Sequence, residues 1–150
     1  MRYLIDTNVL LRRSCGESPD NAICGSAVTK LLEAGHDLYI CAQVLIEFRC
    51  VATRPLKVNG LGLTSGQVKE HTADLREVFD CLPEPPDMAD RWQAVADKYE
   101  VIGKQAHDAR IAALMLAHGV THLLTLNPGD FARYSGITAF TPQEIPHQAA

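Results

Sequence analysis

Apolar positions along the chain follow two different spacings. Short, nearly continuous apolar runs predict strands at 2–5, 37–42, 79–82, 120–126 and 136–140. Between them, apolar residues recur at intervals of three and four and predict helices at 8–13, 20–34, 42–54, 64–79, 87–100 and 105–118. Gly35, Pro55 and Gly119 lie where three of these helices should end, and Thr64 is a suitable N-cap. Residues 56–63 contain an Asn-Gly step and are predicted as a loop.

Strands separated by helices require crossover connections, which favour a mainly parallel sheet. The pattern therefore predicts an α/β fold, a single domain with four to five strands flanked by helices. We assign residues 1–142 to this domain and residues 143–150 to a C-terminal tail. In such sheets ligands bind at the carboxyl ends of the strands. Asp6 and Asn127 each follow a predicted strand, so this edge of the sheet is the predicted functional edge.

Composition narrows the functional classes. With 150 residues, 47% hydrophobic and 21% charged, the chain is typical of a soluble globular domain. A formal charge of −4 argues against general nucleic-acid binding over a basic surface, but it does not exclude an enzyme that contacts nucleic acid locally. No apolar stretch approaches the roughly 20 residues of a membrane span, and no signal peptide is apparent. The five cysteines form no CxxC pair, so we expect free thiols in the cytoplasm.

Two acidic residues stand out against this pattern. Asp6 opens the triplet Asp6-Thr7-Asn8 at the end of the first strand, and N-capping of the next helix is its simpler interpretation. Asp108 is harder to explain, because a helical wheel places it in the middle of an apolar stripe. A helix dipole accounts for an acid in the first turn but not for its inward direction. A buried carboxylate requires partners or a metal.

Other polar positions are ambiguous when taken singly. Glu47 lies at the boundary of the apolar face of its helix, where a solvated edge is the simpler interpretation. Asn127 and Asp130 belong to TLNPGDF (125–131), which turn formation and capping explain adequately. Together, however, acids from three crossovers would gather several negative charges, which require a counter-ion. Oxygen ligands of this kind favour Mg²⁺ or Mn²⁺. His107 points about 100° away from Asp108 on the wheel and is not expected to be a ligand.

Four segments resemble the PIN-domain ribonucleases, and within them the VapC-type toxins of type II toxin–antitoxin systems. They are YLIDTNVLL (3–11), AQVLIEFRCVATRP (42–55), HDARIAALMLAHG (107–119) and LLTLNPGDFARYSGI (123–137). The resemblance extends over about residues 1–142. It implies a PIN-like α/β domain with a metal-dependent acidic site that cuts RNA, with Mg²⁺ or Mn²⁺ as the cofactor.

The resemblance also implies roles for individual residues. The acids of the family fall on Asp6, Glu47 and Asp108. Asn127 stands where many members have an aspartate, and Asp130 is the acid three residues later. Whether Asn127, Asp130 or both serve the metal stays open at this point.

The remaining expectations concern supporting residues, substrate and partners. Thr7 matches a hydroxyl that supports the site, and Asn8 and Thr125 are further supporting candidates. Candidates to contact RNA phosphates are Arg12 and Arg49, and beside them Arg13 and Arg54. The resemblance implies a homodimer and a cognate antitoxin, and the lack of a long apolar stretch predicts no membrane association. Two alternatives are a catalytically idle PIN-like interaction module and a metal phosphohydrolase acting on small phosphate esters.

Overall fold

Five strands and six helices make up the computed structural model, which describes residues 1–16 and 19–145. The strands are β1 (Arg2–Ile5), β2 (Asp37–Cys41), β3 (Asp80–Leu82), β4 (His122–Leu124) and β5 (Thr138–Phe140). The helices are α1 (Thr7–Ser14), α2 (Pro19–Glu33), α3 (Ala42–Thr53), α4 (Ser65–Val78), α5 (Met88–Lys98) and α6 (Gln105–His118).

The strands form one sheet in the order β3-β2-β1-β4-β5, and every neighbouring pair is parallel. Leu4 at the centre of β1 pairs with Tyr39 on one side and Leu123 on the other. This confirms the predicted α/β class with a mainly parallel sheet. The chain runs from β1 outward to β3 and then returns to the other side of β1. The carboxyl ends of β1 and β4 therefore flank a topological switch point, where α/β sheets bind ligands.

Local sequence accounts for several element boundaries. Thr64 is the N-cap of α4 and forms a capping box with Gln67, as the sequence Thr-x-x-Gln favours. Gly119 ends α6 in a left-handed conformation, with a φ of 66°. The central strand is buried because Leu4 and Ile5 are apolar and face helices on the two sides of the sheet.

Several element bounds differ from the prediction by one or two residues, and three segments differ more. The predicted strand 120–126 is shortened to β4 at both ends, because the Val120 N–H bonds the Met115 carbonyl and the Leu126 N–H bonds the side chain of Asn8. The predicted loop at 56–63 contains a 3-10 turn, Leu56–Val58. The predicted tail 143–150 begins inside a second such turn, Pro142–Glu144, and Ile145 after it is fully buried. Residues 146–150 of that tail lie outside the described residues.

None of the helices within the described residues has the length and apolar content needed to span a membrane.

Candidate functional site

Asp6 lies between β1 and α1, with 8% of its surface exposed. Its backbone N–H donates to the carbonyl of Leu124 on β4 at 2.9 Å, which fixes the residue at the switch point. Its Oδ1 accepts from the backbone N–H of Thr7 at 2.8 Å, and its Oδ2 accepts from the hydroxyl of Thr125 at 2.8 Å. Asp6 is thus the N-cap of α1 and also presents a carboxylate between the two strands. Burial raises the pKa of Asp6, while these two hydrogen bonds oppose the rise.

Thr125 and Asn8 hold the end of β4 against α1. The fully buried Thr125 hydroxyl accepts from the backbone N–H of Asn127 at 3.1 Å and from the Asn8 amide at 3.4 Å. The Asn8 Oδ1 accepts from the backbone N–H of Leu126 at 3.1 Å. The structure therefore places both predicted supporting residues beside Asp6, where they fix the backbone that follows β4.

Glu47 lies on α3 and is oriented from two sides. The Thr7 hydroxyl donates to Glu47 Oε2 at 2.9 Å, and the side-chain amide of Gln43 donates to Glu47 Oε1 at 3.0 Å. The second hydrogen of that amide bonds the His107 carbonyl at 2.7 Å, which links α3 to α6. Gln43 is buried, and the sequence analysis missed it. Its position four residues before Glu47 was the available signal, since such side chains meet on a helix.

Asp108 lies in the first turn of α6 and is half-buried. Its neighbours on the apolar side of the helix are buried, in agreement with the helical wheel. Burial is the main factor that raises the pKa of Asp108, from 3.8 to about 6, and the nearby carboxylates of Asp6, Asp130 and Glu47 raise it further. The charges of three acids from widely separated parts of the sequence therefore all act on Asp108.

The acids line one open pocket of about 330 Å³, which we call the acidic pocket. Its polar lining consists mainly of Asp6, Glu47, Asp108, Asp130, Asn127 and Thr7. Asn127 precedes the 3-10 turn Pro128–Phe131, and its backbone carbonyl accepts from the Asp130 N–H at 3.2 Å. The structure brings Asn127 and Asp130 to the pocket together.

The lining is chemically suited to a hard divalent cation, because its donors are carboxylate and amide oxygens. Within residues 1–16 and 19–145, however, no three Asp, Glu, His or Cys side chains are already grouped closely enough to hold a metal. Mg²⁺ does not need such a cage, since it usually keeps several waters and binds one or two carboxylates directly. The raised pKa of Asp108 is the observation that favours a cation, because a positive ion would offset the crowding of negative charge.

The structure separates the four candidate arginines. Arg54 lines the acidic pocket, and Arg12 lines an adjoining groove. Arg13 packs its guanidinium over the ring of Phe79 instead, 5.4 Å from its centroid. Arg49 donates to the Ser65 hydroxyl at 3.3 Å and is not part of the described lining of the acidic pocket.

Comparisons with known proteins agree with this geometry. The family model of the PIN domain matches residues 3–137. No curated protein sequence matches the chain. Among solved structures, VapBC2 from Rickettsia felis, bound to a DNA fragment from its promoter, has a TM-score of 0.72 at 15% identity, covering 94% of this chain and 98% of that one.

Two further solved structures are similar. VapBC-1 from nontypeable Haemophilus influenzae has a TM-score of 0.69 at 16% identity, with 95% and 99% of the two chains covered. A toxin–antitoxin complex from Klebsiella pneumoniae has a TM-score of 0.64 at 24% identity, with 93% and 97% covered. At these identities the likeness establishes a shared fold.

Proposed function

Because this chain belongs to the PIN domain family, we propose that it is a metal-dependent endoribonuclease and the toxin of a toxin–antitoxin pair. The observation that carries the proposal is the convergence of Asp6, Glu47 and Asp108 on one pocket at the switch point of the sheet. Capping explains Asp6 alone, but it does not explain why the charge of Glu47 raises the pKa of both Asp6 and Asp108.

Asp6 and Asp108 would bind Mg²⁺ or Mn²⁺, and Glu47 with Asn127 or Asp130 would complete the set of ligands or hold its waters. The bound ion would make the attacking water more acidic and would neutralise charge on the scissile phosphate. Thr7 and Gln43 orient both oxygens of Glu47, and Thr125 orients Asp6. These hydrogen bonds leave lone pairs free on each carboxylate, so the hydrogen-bonded acids remain able to bind a cation.

The mechanism predicts the ends of the product. Attack by water leaves a 5′-phosphate and a 3′-hydroxyl, whereas attack by the RNA 2′-hydroxyl leaves a cyclic phosphate. Purified protein incubated with RNA and Mn²⁺ should give the former, and EDTA should stop the reaction. Detection of a 2′,3′-cyclic phosphate would contradict hydrolysis by an activated water.

The residue assignments are tested by paired variants. Asp6→Asn should abolish cleavage and weaken Mn²⁺ binding in calorimetry while the fold is retained. Asp37→Asn, at the amino end of β2 and exposed, is a matched control that should leave both unchanged. Asn127 and Asp130 are the candidates for the fourth ligand of the metal. Asp130→Asn should weaken Mn²⁺ binding more than Asn127→Ala, because a charged ligand is lost. The reverse order would assign that position to Asn127.

The same assays separate the alternatives. An idle interaction module would bind no Mn²⁺, and a phosphohydrolase of small esters would cleave model phosphate esters rather than RNA.

The cognate antitoxin, the homodimer and a cytoplasmic location belong to this proposal. The named complexes of toxin and antitoxin among the similar structures support an antitoxin as partner. A short reading frame beside this gene that encodes a small DNA-binding protein, and copurification of that protein, would test it.

A further inference from the structure

A second groove adjoins the acidic pocket. It has a volume of about 290 Å³, is more enclosed than the acidic pocket, and is called the side groove here. Asn8, Leu11, Val51 and Asn127 line both spaces, so the side groove lies directly beside the acidic pocket. A molecule whose phosphate occupied the acidic pocket could therefore extend past these residues into the side groove.

The chemistry of the two spaces differs. The side groove has a mixed lining, in which Leu11, Val51, Leu61 and Leu126 are apolar. Its polar side chains are Asn8, Arg12, Asn59 and Asn127. Of the described residues that line it, none is acidic and Arg12 carries the only charge. The side groove is therefore suited to a flat, uncharged group with polar edges. A nucleobase has this character, because its faces are apolar and its edges donate and accept hydrogen bonds.

One wall of the side groove is preformed. Backbone N–H groups of the loop bond the carbonyls at the end of α3, from Leu61 to Val51 at 3.2 Å and from Gly62 to Arg54 at 2.8 Å. A Cβ on Gly60 would lie 1.8 Å from the Arg54 carbonyl oxygen, so only glycine permits this close approach. The loop is thereby fixed to the helix that carries Glu47.

The tip of the loop is also fixed. Asn59 has a φ of 60°, a left-handed conformation that asparagine tolerates better than most residues. Asn59 lines the groove together with Arg12 on α1. Arg12 follows Asp6 by six residues, about 9 Å along a helix. Arg12 is thus carried by α1, which Asp6 caps, and Asn59 by the loop that is bonded to α3, the helix of Glu47.

We propose that the side groove receives a nucleobase adjoining the bond that is cut, with Leu11 and Leu61 against its faces and Asn59 and Arg12 at its edges. This inference rests on the proposed ribonuclease function and adds a position at which the enzyme reads its substrate. The ligand is single-stranded RNA, since a paired base cannot leave its stack to enter the groove without breaking pairs.

The first experiment measures base preference. A pool of random single-stranded RNA is cut in Mn²⁺, and the sequenced ends give the preference at each flanking position. Asn59→Asp keeps the tolerance of a positive φ but removes both amide donors, and Arg12→Gln removes a charge from an exposed site. Each should change the base preference at one flanking position by about fivefold or more. Lys57→Gln, exposed in the same loop and outside the described groove lining, should not change it.

The outcomes distinguish this inference from the proposed function. If the wild-type protein cuts RNA but the Asn59 and Arg12 variants alter only the total rate, the side groove reads no base and the inference is wrong. If the wild-type protein does not cut RNA at all, the ribonuclease proposal fails instead.

A second experiment does not depend on cleavage. RNA containing 4-thiouridine or 6-thioguanosine is crosslinked by light to the Asp108→Asn variant, and tryptic peptides are identified by mass spectrometry. The inference requires crosslinks to the residues placed against the base, which are Asn59 and Leu61 in the peptide 58–69 and Leu11 and Arg12 at the end of the segment 3–12. Crosslinks that fall on none of these four residues would overturn it.

Discussion

Replacing Asp108 by asparagine should stabilise the metal-free protein, although the same change should abolish its activity on RNA. The carboxylate of Asp108 has a pKa raised from 3.8 to about 6, first by burial and then by Asp6, Asp130 and Glu47. Within residues 1–16 and 19–145 its side chain has no hydrogen-bond partner, so an amide of the same shape loses no such bond there. The ionised form of Asp108 therefore destabilises the folded state.

The magnitude follows from the pKa. A change from 3.8 to about 6 corresponds to about 3 kcal/mol between the ionised and protonated forms. Because Asp108 is half exposed, solvent screening reduces this to about 1–2 kcal/mol. The folded state holds its proton to a higher pH than the unfolded state, so wild-type stability falls as the pH rises from about 4 to about 6. Above that range the full penalty is present.

Urea unfolding in EDTA measures the effect. At pH 7.5 Asp108→Asn should be more stable than the wild-type protein by about 1–2 kcal/mol, and at pH 5 the difference should be about half as large. Mn²⁺ at about 100 times its dissociation constant should stabilise the wild-type protein by about 2.7 kcal/mol and leave the variant unchanged. The Asp37→Asn control should respond to Mn²⁺ as the wild-type protein does. A variant less stable than the wild-type protein in EDTA at pH 7.5, or a difference independent of pH, would refute the reasoning.

Three further changes test how the site is supported. Thr125→Val should lower the free energy of unfolding by about 1–3 kcal/mol, because a buried hydroxyl that bonds three polar groups is lost, while Thr125→Ser should retain most of it in urea unfolding. Gly60→Ala should destabilise the protein by about 1–3 kcal/mol through overpacking. The control is Gly25→Ala on α2, where a Cβ meets open space; it should leave the stability unchanged or raise it by up to about 1 kcal/mol. Gln43→Leu should weaken Mn²⁺ binding in calorimetry by about tenfold or more, because Glu47 loses the amide that orients it. Unchanged binding would show that Glu47 needs no such support.

The parts of the fold that depend on local sequence were predictable. The Thr64 N-cap and the glycine that ends α6 follow from residues within one turn of each boundary. The alternation of strands and helices was sufficient for the parallel sheet, because parallel strands require crossovers. The extent of β4 was not predictable, since the bond from the Leu126 N–H to Asn8 joins residues 118 positions apart.

A residue of the candidate site was predictable where the orientation of its side chain depends only on its own helix. A helical wheel was enough to predict that Asp108 faces the apolar side of α6. The spacing of Gln43 to Glu47 is local and could have been noticed, whereas its bond to the His107 carbonyl, 64 residues away on another helix, could not. Arg12 and Arg13 are adjacent in sequence, yet one faces the side groove and the other packs on Phe79, which no local pattern distinguishes.

Asp6 shows why capping and metal binding need not be alternatives. Its Oδ1 caps α1 through Thr7, and its Oδ2 accepts from Thr125, so each oxygen has one hydrogen bond and a free lone pair. These hydrogen bonds favour the charged form in a place where burial opposes it. A cap alone would be satisfied in solvent, without the buried threonine that follows β4 to hold its second oxygen. The position at the switch point thus demands a residue that ends a strand, begins a helix and carries a charge, and aspartate satisfies all three conditions.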